Sequence, residues 1–215
     1  MPSPAASTPF DQSRYQVRLD WGLAGLRRAA PAEVVVVVDV LRFSSTVSAR
    51  VAAGEAVPLD EAAHAVSRNG AAIAAAASDS VVLLGCLRNA AAVADAVLDE
   101  QRRRGARTSI AVIAAGELAG PDEASDLRFA VEDLLGAGAV VDALSRLGID
   151  HTSPEAAAAC ESFRGLGGAV RHLLTASGSG QELLERGLRD DALAAAQIDV
   201  DGVAPVLRDG VFTGA

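Results

Sequence analysis

The sequence predicts an α/β fold in which a mostly parallel sheet lies between layers of helices. Half of the 215 residues are apolar while only 3% are aromatic, so small side chains must let helices and strands pack closely. Short apolar runs alternate with helical segments, which is typical of parallel strands joined by crossover helices. We therefore predict a single domain over residues 10–215, after a disordered lead-in at residues 1–9 rich in Pro, Ser and Ala.

The strand predictions rest on the apolar runs. Val34–Val38 is five valines in succession, which favours a central parallel strand buried on both faces. Residues 15–20 instead alternate apolar and polar side chains, which favours a half-buried strand toward a sheet edge. Further strands are predicted at residues 56–59, 81–84 and 109–114, with one or two more and a turn at Asp209 and Gly210 in residues 203–214.

Helices are predicted where apolar residues recur every three or four positions. The predicted segments are residues 21–29, 43–53, 61–66, 89–104, 128–147, 154–163 and 183–196. Residues 117–126 lack this periodicity and are predicted to form a loop after a strand, a place where functional residues often lie.

Charge and composition narrow the possible partners. A net charge of −9 argues against nucleic-acid binding, because phosphate backbones are held by clustered Lys and Arg. The sequence shows neither a signal-peptide pattern nor an apolar run long enough to span a bilayer, so we expect a cytoplasmic protein with no membrane partner. Cys86 and Cys160 have no disulfide or zinc spacing, and we expect them to be buried small side chains.

Polar residues follow three of the predicted strands. Ligands of open parallel sheets bind beyond the carboxyl ends of the strands, so we expect these side chains to converge at one edge. After the strand at 34–38 they are Asp39, Arg42, Ser44, Ser45 and Thr46. Asn89 follows the strand at 81–84, and Glu117 follows the strand at 109–114.

The residues after the valine run fit a catalytic loop. Asp39 could bind Mg²⁺ through a hard oxygen ligand, and Arg42 could hold an oxyanion bidentately. Residues 44–46 would form the first helical turn, where backbone N–H groups and the helix dipole favour a phosphate or sulfonate. A structural interpretation stays open: Asp39 caps a turn, Ser44 or Ser45 caps the helix, and Arg42 lies on the surface.

Two further polar segments have a structural and a functional interpretation. Glu132 and Asp133 point about 100° apart on a helix, so one could face the site, although such a pair is more often a solvated helix face. The segment 177–180, with Ser179, is most simply a helix N-cap. The motifs GxSxG, GxGxxG and Walker A are absent, which removes most support for the common hydrolase and nucleotide-binding classes.

Five blocks in order resemble the 2-phosphosulfolactate phosphatase family, also called ComB-like. They are VVVVDVLRFSSTV, the Asn69-Gly70 pair, LLGCLRNAAAVA, IAAGE and FAVEDLLGAGAVVDAL, and a closing PVLRDGVF follows them. The resemblance runs from about Tyr15 to Phe212. It implies a three-layer α/β/α fold and Mg²⁺-dependent hydrolysis of 2-phosphosulfolactate to sulfolactate and phosphate, a step in coenzyme M synthesis.

The resemblance also implies roles for particular residues. Asp39, together with Glu132 or Asp133, would hold Mg²⁺, while Arg42 and the helix start at Ser45 and Thr46 would bind phosphoryl or sulfonate oxygens. The remaining predicted substrate-binding residues are Ser44, Asn69, Gly70, Asn89, Glu117 and Ser179.

The sequence departs from the family pattern in three places. The stretch between residues 59 and 69 is shorter than usual, Ala71 stands where the family has a hydroxyl residue, and Phe43 stands where a small residue is common. The first two departures favour an alternative, a catalytically lapsed protein that keeps the fold and binds a small anionic ligand. A scaffold with only structural roles for these groups is a third. The small residues at 134–143 could also pack against a second copy, giving a homodimer.

Overall fold

A computed structural model describes residues 8–60, 68–120 and 125–215, and its central feature is a seven-stranded sheet. Two further short strands pair with each other outside this sheet. In chain order the strands are β1 (Val17–Trp21), β2 (Val34–Val38), β3 (Val57–Pro58), β4 (Val81–Gly85), β5 (Ile110–Ala114), β6 (Glu117–Leu118), β7 (Leu127–Arg128), β8 (Pro205–Arg208) and β9 (Val211–Gly214).

The order of strands across the main sheet is β1-β5-β2-β4-β8-β9-β3. The first four are parallel, with Val36 of β2 opposite Val112 on one side and Leu83 on the other. The last three form antiparallel ladders beyond β4. The predicted central position of the valine run, the edge position of β1 and the mostly parallel sheet are all confirmed.

Helices cover both faces of the sheet, so the three-layer α/β/α fold is confirmed. Val35 and Val37 of β2 pack in one apolar cluster, and Val34, Val36 and Val38 pack in another on the opposite face. In chain order the helices are α1 (Gly22–Arg28), α2 (Phe43–Ala52), α3 (Arg68–Ala76), α4 (Ala90–Arg104), α5 (Val131–Arg146), α6 (Pro154–Leu166), α7 (Val170–Ala176), α8 (Gly178–Glu185) and α9 (Arg189–Ala195). Helices α1 to α3 contribute to the first cluster, and α4 to α7 to the second.

Several predicted boundaries were wrong. The predicted helix at 128–147 begins only at Val131, because Leu127–Arg128 pairs with Glu117–Leu118 inside what was predicted as a loop. The predicted helix at 183–196 is two helices, α8 and α9, separated where Gly187 takes a positive φ of 75°. Helices α3 and α7 were not predicted. The predictions of a helix at 61–66, of disorder at residues 1–7 and of a loop at residues 121–124 lie outside the described residues.

The small residues of α5 are used for packing within the chain. A Cβ added to Gly138 would lie 2.1 Å from the backbone oxygen of Ala159, so glycine is what lets α6 approach α5 this closely. The homodimer that these residues suggested therefore draws no support from them and stays a prediction.

Two expectations concern burial and length. Cys86 and Cys160 are both free and buried, as predicted. Among the described residues, no helix combines the length and apolar character needed to cross a bilayer.

Candidate active site

Asp39 lies at the carboxyl end of β2, between the starts of two helices. It is 5% exposed, and its Oδ1 accepts the backbone N–H of Phe43 at 3.3 Å while Oδ2 accepts that of Gly70 at 3.2 Å. These donors belong to the first turns of α2 and α3, whose dipoles favour a negative charge at this place. A Cβ on Gly70 would lie 2.7 Å from Oδ2, so glycine is needed for this approach.

The hydroxyl residues at the start of α2 have different surroundings. Ser44 is fully buried, and its hydroxyl is satisfied within the loop: Oγ donates to the Val37 carbonyl and accepts the Asp39 N–H at 3.0 Å. It therefore braces the loop after β2. Ser45 Oγ lies beside the Cys86 thiol, and it has no other hydrogen-bond partner among the described residues. Thr46 is half-buried.

Glu132 and Asp133 occupy the first turn of α5 and are both 3% exposed, so the solvated-face interpretation of this pair was wrong. Asp133 is held by backbone groups of two strand-end loops: Oδ1 accepts the N–H of Val40 at 2.7 Å, and Oδ2 accepts that of Gly116 at 2.9 Å. Glu132 points differently, and its Oε2 is buried without a hydrogen-bond partner among the described residues. One carboxylate thus ties the loops together and the other is available for a ligand.

Both backbone polar groups of Gly116 are hydrogen-bonded to side chains of the site. Its N–H donates to Asp133, and its carbonyl accepts Asn69 Nδ2 at 2.7 Å. Its φ of 69° favours glycine, and an added Cβ would lie 3.0 Å from the Arg128 carbonyl oxygen. Asn69 and Asp133 together therefore set the position of the next residue, Glu117.

Glu117 borders a cleft of about 120 Å³ between the start of α5 and the start of α8. Its Oε2 accepts the hydroxyl of Ser179 at 2.8 Å, which brings a residue 62 positions away into the site. Glu132, Arg128 and Gly178 also line this cleft. Ser177 caps α8 by accepting the N–H of Gly180, so the N-cap prediction for 177–180 is confirmed.

Arg42 forms an ion pair with Asp191. Its Nη1 lies 2.6 Å from Asp191 Oδ2 of α9, and the two side chains are 25% and 41% exposed. The guanidinium carries five N–H donors, so this pairing does not exhaust it. Asp191 therefore holds Arg42 in one orientation at the edge of the site.

The loop after β4 is closed by its own contacts. Asn89 is fully buried, and its Oδ1 accepts the Cys86 N–H at 2.9 Å while its Nδ2 donates to the Leu84 carbonyl. Burial raises the pKa of the Cys86 thiol to about 11, so this thiol is a poor nucleophile. Asn89 thus shapes this loop instead of presenting its amide to a ligand.

The electrostatics of the site fit a cation. Burial, with the Asp39 and Glu132 carboxylates nearby, raises the pKa of Asp133 well above its usual value. Burial also raises the pKa of Glu117; the Ser179 hydrogen bond opposes this rise, and the Glu132 charge adds to it. A hard divalent ion would offset this crowding of negative charge.

The carboxylate oxygens at this site suit Mg²⁺, which needs few protein ligands, better than a metal that protein side chains must coordinate completely. The described part of the chain contains no group of three or more His, Cys, Asp or Glu side chains placed to hold a metal ion. However, Mg²⁺ is commonly bound through one or two carboxylates, with waters and substrate phosphate completing its shell. The unpartnered, buried Glu132 Oε2 could serve as a ligand of this kind.

Two contributors to the site carried little signal in the sequence. Asp191 reaches Arg42 across 149 positions, and Arg128 belongs to a short strand predicted as part of a loop and a helix. Their positions depend on the packing of the C-terminal helices and of the β6–β7 pair, which no local sequence motif predicts.

Comparison with known families gives one match to report. A family model described as 2-phosphosulpholactate phosphatase matches residues 60–210, which is more than half of the chain. The matched region includes Asn69, Glu117, Glu132, Asp133 and Ser179, whereas Asp39 and Arg42 precede it.

Proposed function

Because the chain belongs to the 2-phosphosulpholactate phosphatase family, we propose that it is a Mg²⁺-dependent phosphatase that hydrolyses 2-phosphosulfolactate to sulfolactate and phosphate. Beyond the family itself, one observation carries this proposal: a buried carboxylate oxygen of Glu132 without a partner, set among Asp39, Asp133 and Glu117 at the carboxyl edge of a parallel sheet. Parallel sheets bind their ligands at this edge.

Asp39 and Glu132 are the residues that would hold Mg²⁺. We choose Glu132 over Asp133 because Glu132 Oε2 has no hydrogen-bond partner among the described residues. Both Asp133 oxygens accept short backbone hydrogen bonds, of 2.7 and 2.9 Å, whereas the backbone hydrogen bonds to Asp39 are longer, at 3.3 and 3.2 Å. When bound, Mg²⁺ supplies positive charge that stabilises the phosphoryl oxygens as the P–O ester bond breaks. Asp133 acts by holding Val40 and Gly116, and with them the loops after β2 and β5.

Arg42 and the start of α2 bind the phosphoryl group. The guanidinium suits phosphate because its planar donors match two oxygens at once. Asp191 restricts Arg42 to one orientation, which lowers the entropy lost when the oxyanion binds. The N-terminus of α2 contributes its dipole, and Ser45 and Thr46 lie in its first turn.

The substitution Asp39→Asn tests the proposal. Phosphate release from 2-phosphosulfolactate should require Mg²⁺, stop on addition of EDTA, and fall on the order of 100-fold or more in this variant. The matched control is Asp95→Asn, at an exposed carboxylate on α4, which should retain turnover. Circular dichroism of both variants checks that the fold is intact, and unchanged turnover in a folded Asp39→Asn protein would sink the assignment.

The same experiment separates the alternatives. Mg²⁺-dependent binding of the ester by calorimetry, with no phosphate release, would favour a catalytically lapsed binding protein. Neither binding nor release would favour the scaffold.

A further inference from the structure

A second cleft, of about 200 Å³, lies at the amino edge of the sheet, opposite the candidate active site. Strands β1, β5 and β2 are parallel neighbours in this order, so their first residues lie side by side at this edge. The residues that line this amino-edge cleft lie at or just before these strand starts. They include Arg14, Tyr15, Arg18, Glu33, Arg107 and Ser109.

Arg18, in β1, is a buried cation at this cleft. It is 6% exposed, its Nε donates to the Tyr15 carbonyl at 3.0 Å, and its Nη1 donates to the carbonyls of Ala30 and Pro31 at 2.8 and 3.3 Å. Arg18 forms no ion pair with a described residue, and its Nη2 has no hydrogen-bond partner among them. Nη2 is therefore left for a group in the cleft.

The nearby carboxylates compensate this charge only in part. Glu33 lines the cleft, but its Oε2 accepts both the N–H and the hydroxyl of Ser109, and its Oε1 lies 3.5 Å from Arg104 Nη2. Burial lowers the pKa of the Arg18 guanidinium, although the charges of Glu33 and Asp11 act to raise it. The cost of burying this cation thus exceeds the attraction that these carboxylates supply.

Arg14 and Arg107 add two further cations to the cleft. Both are exposed, and neither forms an ion pair within the described ranges. Arg107 Nε donates to Gln16 at 3.2 Å and its Nη2 contacts His151 Nδ1 at 2.6 Å, so its partners are not carboxylates. Three guanidiniums line one cleft in a chain whose net charge is −9, which is a local excess of positive charge.

We propose that the amino-edge cleft is a second binding site, which takes a phosphate group. Guanidiniums match the oxygens of phosphate with paired donors, and here they come from three positions around one space. A volume of about 200 Å³ suits free phosphate or a small phosphate ester better than a nucleotide. The inference is independent of the proposed function, because none of these residues belongs to the candidate active site.

Calorimetric titration with inorganic phosphate, in EDTA, tests the site. Wild-type protein should bind phosphate, Arg107→Gln should weaken this binding on the order of 10-fold, and the double variant Arg14→Gln, Arg107→Gln should weaken it further. Both arginines are exposed, so the fold should survive, and circular dichroism checks this. Absence of binding by the wild type, or equal affinity in wild type and double variant, overturns the proposal.

A second titration, with glycerol 3-phosphate, distinguishes the source of the phosphate group. Tighter binding of inorganic phosphate would support a site for the free ion, whereas tighter binding of the ester would support a site for a small phosphorylated metabolite. Either preference should be lost in the double variant. A preference that persists in the double variant would place the ligand elsewhere and would overturn the proposal.

Two matched controls remove one arginine each outside the cleft. Arg208→Gln removes an exposed charge at the end of β8, which lies beyond β4 from β2, and Arg42→Gln removes one at the candidate active site. Both variants should bind phosphate in EDTA as the wild type does. A loss at Arg208 equal to that at Arg107 would show a general charge effect, and a loss at Arg42 alone would place the phosphate in the candidate active site. Either result overturns the proposal.

Discussion

Two loops at the same edge of the sheet each contain an arginine, and the two arginines have different surroundings. In the loop after β2, Arg42 is 25% exposed and pairs once, through Nη1, with Asp191. In the loop after β4, Arg88 is 12% exposed and forms a bidentate pair with Asp201 at 2.8 Å for both contacts. Its Nη1 also donates to the Ala194 carbonyl and to Gln197.

The difference shows how to separate structural from ligand-binding groups at a sheet edge. Every nitrogen of the Arg88 guanidinium has an internal acceptor, so this residue ties the C-terminal segment to the end of β4. Arg42 keeps donors for a ligand. The number of partners and the burial distinguish these roles, whereas the residue type and the position after a strand do not.

The largest expected effect is on stability, from Arg88→Met. Removing this guanidinium leaves Asp201 buried at 7% exposure without its bidentate partner, and breaking a buried pair in this way costs about 3–5 kcal/mol of unfolding free energy. Chemical denaturation monitored by circular dichroism measures this loss. A loss below about 1 kcal/mol would contradict the structural role of Arg88.

Two glycines sharpen the comparison, because each allows a close approach at one of these loops. A Cβ on Gly70 would lie 2.7 Å from Asp39 Oδ2, and one on Gly85 would lie 2.7 Å from Val36 Cγ1. Gly70→Ala and Gly85→Ala should each cost about 1–3 kcal/mol through overpacking. Only Gly70→Ala should also lower turnover, because it displaces Asp39.

Denaturation and phosphate-release assays on the two glycine variants check this prediction together. Their similar stability loss is the internal control for general damage to the fold. Equal loss of turnover in both variants would mean that activity follows stability. It would contradict the specific role of Asp39 in turnover.

The layers of the fold were predictable from the sequence because burial leaves a strong periodic signal. Five consecutive valines have no polar face, so Val34–Val38 had to be covered on both sides. Helix α3 was missed for the complementary reason. In α3, five of nine residues are alanine, and alanine gives little contrast between a buried and an exposed face.

The candidate site was predictable only in part. Strand-end residues such as Asp39 and Glu117 stand out because the topology of a parallel sheet assigns them to one edge. The contacts from Ser179 to Glu117 and from Asp191 to Arg42 span 62 and 149 positions. They depend on how α8 and α9 pack back onto the sheet, which no local spacing encodes.

The smallest stability effect is expected at Arg42, and it completes the comparison with Arg88. The Arg42–Asp191 pair is partly exposed to solvent, and such pairs contribute about 0–1 kcal/mol, so Arg42→Met should barely change the unfolding free energy. Turnover should nevertheless fall, because the phosphoryl group loses a bidentate partner. Asp191→Asn is the matched control, since it frees Arg42 without removing it and should reduce turnover less. A stability loss at Arg42 as large as that at Arg88, with turnover unchanged, would reverse the two assignments.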